Sequence, residues 1–212
     1  AAWVILKLNR MKSVKLILLT ALSFLTMQSF AQTPLESLRR MFSSGAVSMT
    51  AEYEMVVQQM PVVGNSEILL QGKMYHLQGN GLEVFCNGDA LWTIDESSKE
   101  VVIEPCDALY DAYVANPLLL LAELDSYFQI KSQKQAGSNT EYVLHAIKDC
   151  GISKAQVTLA SDGRVLSGKF HLEDGNVVSA KVISMKKTEE RSSSFFSPSR
   201  KFGSDWVVTD LR

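Results

Sequence analysis

The spacing of apolar residues changes several times along the chain, and each change marks a predicted element. A helix is predicted to begin after Thr33, because Thr33 and Glu36 have capping-box spacing and Pro34 suits the first helical position. Gly45 predicts its end. From residue 47 the apolar spacing falls to two, which predicts a long strand with one apolar face. The apolar positions of this strand are Val47, Met49, Ala51, Tyr53, Met55 and Val57.

The next stretch, residues 72–104, consists of short apolar-rich runs separated by tight turn signals. The turns are predicted at 79–81, 87–88 and 95–98. Asn-Gly between strand-like runs is a strong hairpin signal, because both central residues tolerate a positive φ. The stretch therefore predicts an antiparallel meander, preceded by a return strand at 66–70.

Helical character returns between residues 105 and 126. Residues 107–114 predict a short helix, and Asn116 with Pro117 predicts the start of a second one. Four consecutive leucines follow, Leu118 to Leu121, which make this helix apolar nearly all round. Such a helix is either buried on both sides or covers an apolar space that fills and empties.

The second half of the chain is again strand-like, with segments at 127–134, 141–147, 155–159, 164–172 and 176–186 and a closing strand at 206–208. The fold class is therefore mainly β (α+β). We expect a curved, unclosed antiparallel β-barrel of about nine to eleven strands, with both helical regions across its concave side. About 180 residues suffice for one domain, here 32–212.

Residues 1–31 have the character of a targeting segment. Met11 opens a short basic region, an apolar run follows, and Ser29-Phe30-Ala31 is an acceptable cleavage site before Gln32. Residues 1–10 are interpreted as upstream read-through. The run is too short to span a bilayer. No cysteine follows it before Cys86, so the mature chain is expected to be a periplasmic protein without a lipid of its own.

Removal of this segment makes the chain more acidic. It holds four of the 21 basic residues and none of the 23 acidic ones, which leaves 17 basic against 23 acidic residues and a formal charge of −6. Such a charge disfavours nucleic acids and anionic membrane surfaces as partners.

Three cysteines allow at most one internal disulfide. Cys106 and Cys150 each lie beside a chain-breaking residue, which favours their pairing, and three reduced thiols are the alternative. No Cys-x-x-Cys motif is present, which argues against a redox role.

Motifs of catalysis are sparse. His76, His145 and His171 fall in three separate predicted strands without a ligand-spaced partner. Nucleophile-elbow, P-loop and dinucleotide motifs are absent. The sequence thus favours binding over catalysis, with no cofactor and no metal.

Several motifs together resemble the outer-membrane lipoprotein carrier (LolA-like) family. They are the Gly72-opened strand, the run from Glu83 through Asn87-Gly88 and Trp92 to Thr93, the run 99–103, Asn116-Pro117 with its leucines, Ser194-Phe195-Phe196-Ser197-Pro198, and 207–212. The resemblance implies an unclosed β-barrel with a helical lid over a hydrophobic cavity, and it implies a carrier of acylated lipoproteins. It also implies two partners, an inner-membrane lipoprotein-releasing transporter and an outer-membrane acceptor, and a monomer is expected.

One feature of the family is missing. The family has a basic residue in the first meander that helps to latch the lid, but residues 75–81 contain neither Arg nor Pro. No latch residue is therefore assigned. Two other functions compete with the carrier: a lipid- or peptide-binding sensor module of the same fold, and an exported hydrolase. The expected cavity and lid residues are Val47, Met49, Tyr53, Met55, Phe85, Trp92, Leu109, Tyr113, Leu118, Leu119, Leu121, Tyr142, Leu144 and Phe170.

Overall fold

The predicted strands lie side by side in one sheet in the computed structural model, which describes residues 32–57, 60–106 and 117–212. The strands are β1 (Ala46–Val57), β2 (Met60–Gln71), β3 (Met74–Gly79), β4 (Leu82–Cys86), β5 (Ala90–Asp95), β6 (Glu100–Pro105), β7 (Phe128–Ala136), β8 (Asn139–Ala146), β9 (Ile152–Leu159), β10 (Val165–Leu172), β11 (Val177–Thr188) and β12 (Val207–Asp210). The helical elements are α1 (Pro34–Ser43), a 3₁₀ helix (Pro117–Glu123), α2 (Leu124–Tyr127) and a second 3₁₀ helix (Ser193–Phe196).

The strand order across the sheet is β12-β6-β5-β4-β3-β2-β1-β11-β10-β9-β8-β7. Two series of hairpins thus meet at the β1–β11 pair, and the sheet is open between β7 and β12. The predicted class, mainly β with a curved and unclosed sheet, is confirmed. The described residues contain twelve strands instead of nine to eleven.

The last strand corrects the prediction that all strands are antiparallel. β12 pairs with β6 in parallel, with Val207 opposite Glu100 and Asp210 opposite Ile103. Residues 189–206 form the long connection from β11, near the middle of the sheet, to this edge. A crossover of this length allows parallel pairing, whereas a short hairpin turn would not.

Helix α1 begins as its sequence predicts. The Thr33 hydroxyl accepts a hydrogen bond from the Glu36 backbone N–H at 3.2 Å, and the Thr33 N–H donates to the Glu36 carboxylate at 2.9 Å. Leu35 and Leu38, three residues apart in the sequence, are both buried on one face of the helix. At the start of the helix, the Leu35 backbone N–H donates to the Tyr142 hydroxyl on β8. The amphipathic pattern therefore sets the face of α1 that packs against the sheet.

The leucine segment differs from the predicted α-helix. Pro117–Glu123 is a 3₁₀ helix, and only the four residues of α2 that follow are α-helical. Leu118, Leu119, Leu120 and Leu121 are all at most 4% exposed. Arg39 of α1 makes a two-pronged ion pair with Asp125, at 2.6 and 2.5 Å. All four leucines are thus buried although most of the segment is a 3₁₀ helix and not an α-helix.

Some predictions fall outside the described residues. The predicted helix at 107–114, with the expected lid residues Leu109 and Tyr113, lies there, and so does the targeting segment 1–31. Among the described helices, none is both long and apolar enough to cross a membrane.

The disulfide joins Cys86 to Cys106, and Cys150 is a buried free thiol. The favoured Cys106–Cys150 pairing is therefore wrong. Cys86 ends β4 and Cys106 follows β6, and both of these strands flank β5. Cys150 lies between β8 and β9 in the other hairpin series. Strand order, which the neighbouring Pro and Gly do not reveal, thus decides which thiols meet.

Candidate functional site

A largely apolar cavity lies against the inner face of β2–β6, beside Leu119 of the leucine segment. Its volume is about 420 Å³, within the range usual for small-molecule pockets. The described residues that line it are Tyr53, Asn65, Ser66, Tyr75, Leu77, Gly79, Leu82, Val84, Leu91, Thr93, Val102, Glu104 and Leu119.

Strand register assembles the cavity wall. One row across the sheet runs from Leu77 through Val84 and Thr93 to Val102, each opposite the next on successive strands. A second row runs from Tyr75 through Cys86 and Leu91 to Glu104. Residues directly opposite each other share one face of a sheet, so both rows point to the cavity side. The wall is therefore built from alternate residues of four consecutive strands.

The polar groups of the cavity are few and differ in their surroundings. The Tyr53 hydroxyl accepts a hydrogen bond from the Asn80 side-chain amide at 2.6 Å. The Tyr75 hydroxyl is buried and has no hydrogen-bond partner among the described residues. Burial raises the pKa of Tyr75, so the phenol is neutral and able to donate. Glu104 carries the only charge among the described residues that line the cavity.

The structure divides the expected site residues into four groups. Two of them, Tyr53 and Leu119, line the cavity. A second group belongs to the main buried core, or packs on it in the case of Met55: Val47, Met49, Met55, Leu118, Leu121, Tyr142, Leu144 and Phe170. Leu109 and Tyr113 fall outside the described residues, and Phe85 and Trp92 form the fourth group.

Phe85 and Trp92 point away from the cavity. They stand opposite each other on β4 and β5, in a row with His76 and Ile103. This row alternates with the cavity row of Leu77 and Val84, so it lies on the outer face. From the sequence, the two aromatic residues were assigned to the cavity. A register error of one residue moves every side chain of a strand to the opposite face.

Sequence reasoning missed most of the cavity wall, including Tyr75, Leu77 and Val84. In β3 a signal was present, because Tyr75 and Leu77 alternate with the polar His76 and Gln78. In β4–β6 the signal is lost, because these strands carry apolar residues on both faces. Alternation cannot show which face of such a strand lies inside.

The outer face of β3–β6 carries a cover of its own. Phe195 and Phe196, in the connection to β12, lie over it, and the Phe195 ring meets His76 edge-on at 5.6 Å. Phe196 is fully buried. His76 also stacks on Phe85 at 4.5 Å and contacts the Glu83 carboxylate at 2.9 Å. His76 is thus part of a packed aromatic cluster.

Within the described part of the chain, no group of three or more His, Cys, Asp or Glu side chains is placed to hold a metal ion. The free thiol of Cys150 is 2% exposed. Burial raises its pKa, which makes it a poor nucleophile.

Comparison with models of protein families finds no match, and comparison with curated proteins finds none either. Solved structures do match. An uncharacterised conserved protein from Thermus thermophilus aligns at 14% identity over 83% of this chain and 96% of its own, with a TM-score of 0.50. A LolA superfamily protein, NE2245 from Nitrosomonas europaea, aligns at 14% identity over 79% and 97%, with a TM-score of 0.48.

At this identity, the likeness to the Thermus protein shows a shared fold. The open sheet of this chain, with helices across one face, is also the architecture that its sequence motifs imply. The chain therefore shares the fold of the Thermus protein, an open and mostly antiparallel sheet.

Proposed function

We propose that this protein is a periplasmic carrier that shields the acyl chains of lipoproteins and moves these lipoproteins from the inner to the outer membrane. The observation that carries the proposal is the cavity of about 420 Å³ between the sheet and Leu119. The LolA-like fold and the family's motifs supply the cargo class. In this proposal, residues 1–31 are removed on export, and residues 32–212 act as one domain without catalysis.

The energetics suit a carrier. Burial of a methylene group contributes roughly 0.8 kcal/mol, so an acyl chain of about sixteen carbons offers on the order of 12 kcal/mol. A carrier must also release its cargo, so the ordering of the chain and the opening of the lid offset much of this. In this scheme an inner-membrane lipoprotein-releasing transporter loads the cavity, and an outer-membrane acceptor empties it.

Leu119 allows a direct test of the cavity. We expect Leu119→Asp to fold with a modestly lower melting temperature, because the leucine faces an open space and the new carboxylate can reach water when the segment moves. It should no longer bind the apolar dye N-phenyl-1-naphthylamine, measured by fluorescence titration. Ile147→Asp is the matched control, because Ile147 is 56% exposed and is not one of the residues that line the cavity.

Two outcomes contradict the cavity assignment. If Leu119→Asp unfolds outright, Leu119 belongs to solid core, where an unpaired charge costs several kcal/mol. If it folds and binds the dye as the parent does, the ligand site lies elsewhere.

A second experiment tests the cargo. Inner-membrane vesicles that contain palmitate-labelled lipoproteins are incubated with the purified protein, and labelled lipoprotein in the supernatant is measured. We expect release with the parent and none with Leu119→Asp. Binding of dye without release of lipoprotein would favour a lipid-binding sensor of the same fold over a carrier.

A further inference from the structure

The Tyr75 side chain combines two properties rarely found together. It is 3% exposed, and its hydroxyl has no hydrogen-bond partner among residues 32–57, 60–106 and 117–212. Buried hydroxyl groups are nearly always paired, because an unpaired one forfeits its bonds to water. Tyr75 also lines the cavity beside Leu77 and Leu119. The hydroxyl oxygen is itself closed off from water, so a ligand that fills the cavity and displaces the packing around it would meet an unpaired donor.

Tyr142, the other buried tyrosine of the described core, shows the contrast. It is 2% exposed, and its hydroxyl accepts a hydrogen bond from the Leu35 N–H at the start of α1. Tyr142 is not among the residues that line the cavity. The fold thus pairs the hydroxyl of the tyrosine that packs beneath a helix and leaves unpaired the hydroxyl of the tyrosine that lines the cavity.

The charges of the cavity limit what Tyr75 can bind. None of the described lining residues is Lys, Arg or His, and Glu104 adds a negative charge. A buried carboxylate without a cation is costly, and a second carboxylate in the same cavity makes it more so. A neutral carbonyl oxygen accepts a hydrogen bond from a phenol without this cost.

We propose that the Tyr75 hydroxyl donates a hydrogen bond to the carbonyl oxygen of an ester- or amide-linked acyl chain, so that the cavity selects acylated molecules over free fatty acids. The inference rests on the proposed function, since it requires that the cavity bind acyl chains. It adds a polar specificity group to a site otherwise defined by apolar contact. The remaining carbons of the bound acyl chain then lie along the row of Leu77 and Val84.

Three probes of matched length separate the hydrogen bond from apolar burial: methyl dodecanoate, tetradecane and the tridecanoate anion. Each is titrated against the parent protein loaded with N-phenyl-1-naphthylamine, and loss of dye fluorescence gives its affinity. We expect the parent to bind the methyl ester more tightly than the anion. Tyr75→Phe should weaken binding of the methyl ester about tenfold and leave tetradecane and the dye unchanged.

Tyr142→Phe is the matched control, with thermal melting as the second readout. Tyr142→Phe should lower the melting temperature, because it breaks a hydrogen bond, and should leave all three affinities unchanged. Tyr75→Phe should melt at the parent's temperature or above, because it removes an unpaired buried hydroxyl. A clearly lower melting temperature for Tyr75→Phe would show that the hydroxyl is paired within the protein and would overturn the inference.

The remaining outcomes separate the two proposals. If the parent binds neither the dye nor any of the three probes, the proposed function fails. If the parent binds them and Tyr75→Phe binds the ester as tightly as the parent, the carrier stands and the role of Tyr75 is refuted. Equal weakening of ester and tetradecane would also refute it, because that pattern reports a change of cavity shape.

Discussion

At the scale of single residues, Asp95 holds the turn between β5 and β6. Its carboxylate accepts hydrogen bonds from the Ser97 N–H at 2.8 Å, the Ser97 hydroxyl at 2.7 Å and the Ser98 N–H at 3.2 Å. These bonds lower the pKa of Asp95, and the bond from the Ser97 hydroxyl has the largest effect. Because the pKa is lower in the folded state, the ionised carboxylate stabilises the fold at every pH above the pKa of the unfolded state, which is about 3.9.

We therefore expect Asp95→Ala to lower the melting temperature at neutral pH. The difference in melting temperature between variant and parent should begin to shrink below about pH 4 and should vanish once the pH has fallen below the lowered pKa of the folded state. Thermal melts from neutral pH down to about pH 2.5 measure it. Glu141→Ala is a suitable control, since Glu141 is an exposed carboxylate on β8, in the other hairpin series. A difference that is constant with pH would contradict this role of the carboxylate.

At the scale of elements, two Asp-Gly turns have similar sequences, but only one of them packs against helix α1. Gly163 (φ +87°) and Gly175 (φ +88°) both have the left-handed conformation. In both turns the preceding aspartate accepts the N–H of the residue after the glycine. A Cβ on Gly163 would lie 2.5 Å from the Leu38 backbone nitrogen of α1, whereas a Cβ on Gly175 would meet nothing within 4 Å.

We expect Gly175→Ala to cost roughly 1–2 kcal/mol of unfolding free energy, because a non-glycine residue is strained in the left-handed conformation. Gly163→Ala should cost clearly more, because α1 must also move off the β9–β10 turn. Urea denaturation of both variants gives the comparison. Equal costs would show that α1 does not pack closely on this turn.

At the scale of the whole molecule, the open sheet has two covered faces. The inner face carries α1, the leucine segment and the cavity, and the connection to β12 covers the outer face of β3–β6. Phe196 is fully buried there, whereas Phe195 is 41% exposed. The outer cover therefore contributes stability on the side of the sheet that faces away from the cavity.

We expect Phe196→Ala to lower the unfolding free energy by about 3–5 kcal/mol and Phe195→Ala to lower it less. In conditions where both variants are folded, each should bind N-phenyl-1-naphthylamine as the parent does. Urea denaturation and dye titration measure the two effects. Loss of dye binding by folded Phe196→Ala would contradict the separation of the two faces.

Much of this architecture is encoded locally. The capping box at Thr33, the apolar face of α1, the long alternating strand from residue 46 and the tight turns of the meander depend on interactions a few residues apart. Such signals are present in the sequence without knowledge of the fold. The fold class could therefore be predicted, and so could the burial of the leucine segment.

Tertiary structure decided which residues meet. Strand order brought Cys86 to Cys106, and the outer connection to β12 made one pairing parallel. Strands β4–β6 are apolar on both faces, so only their register with β3 placed Val84 in the cavity and Trp92 outside it. The unpaired hydroxyl of Tyr75 is likewise invisible in sequence, because hydrogen-bond satisfaction depends on every group that packs around the atom. The sequence by itself determined the elements, and long-range packing determined the site.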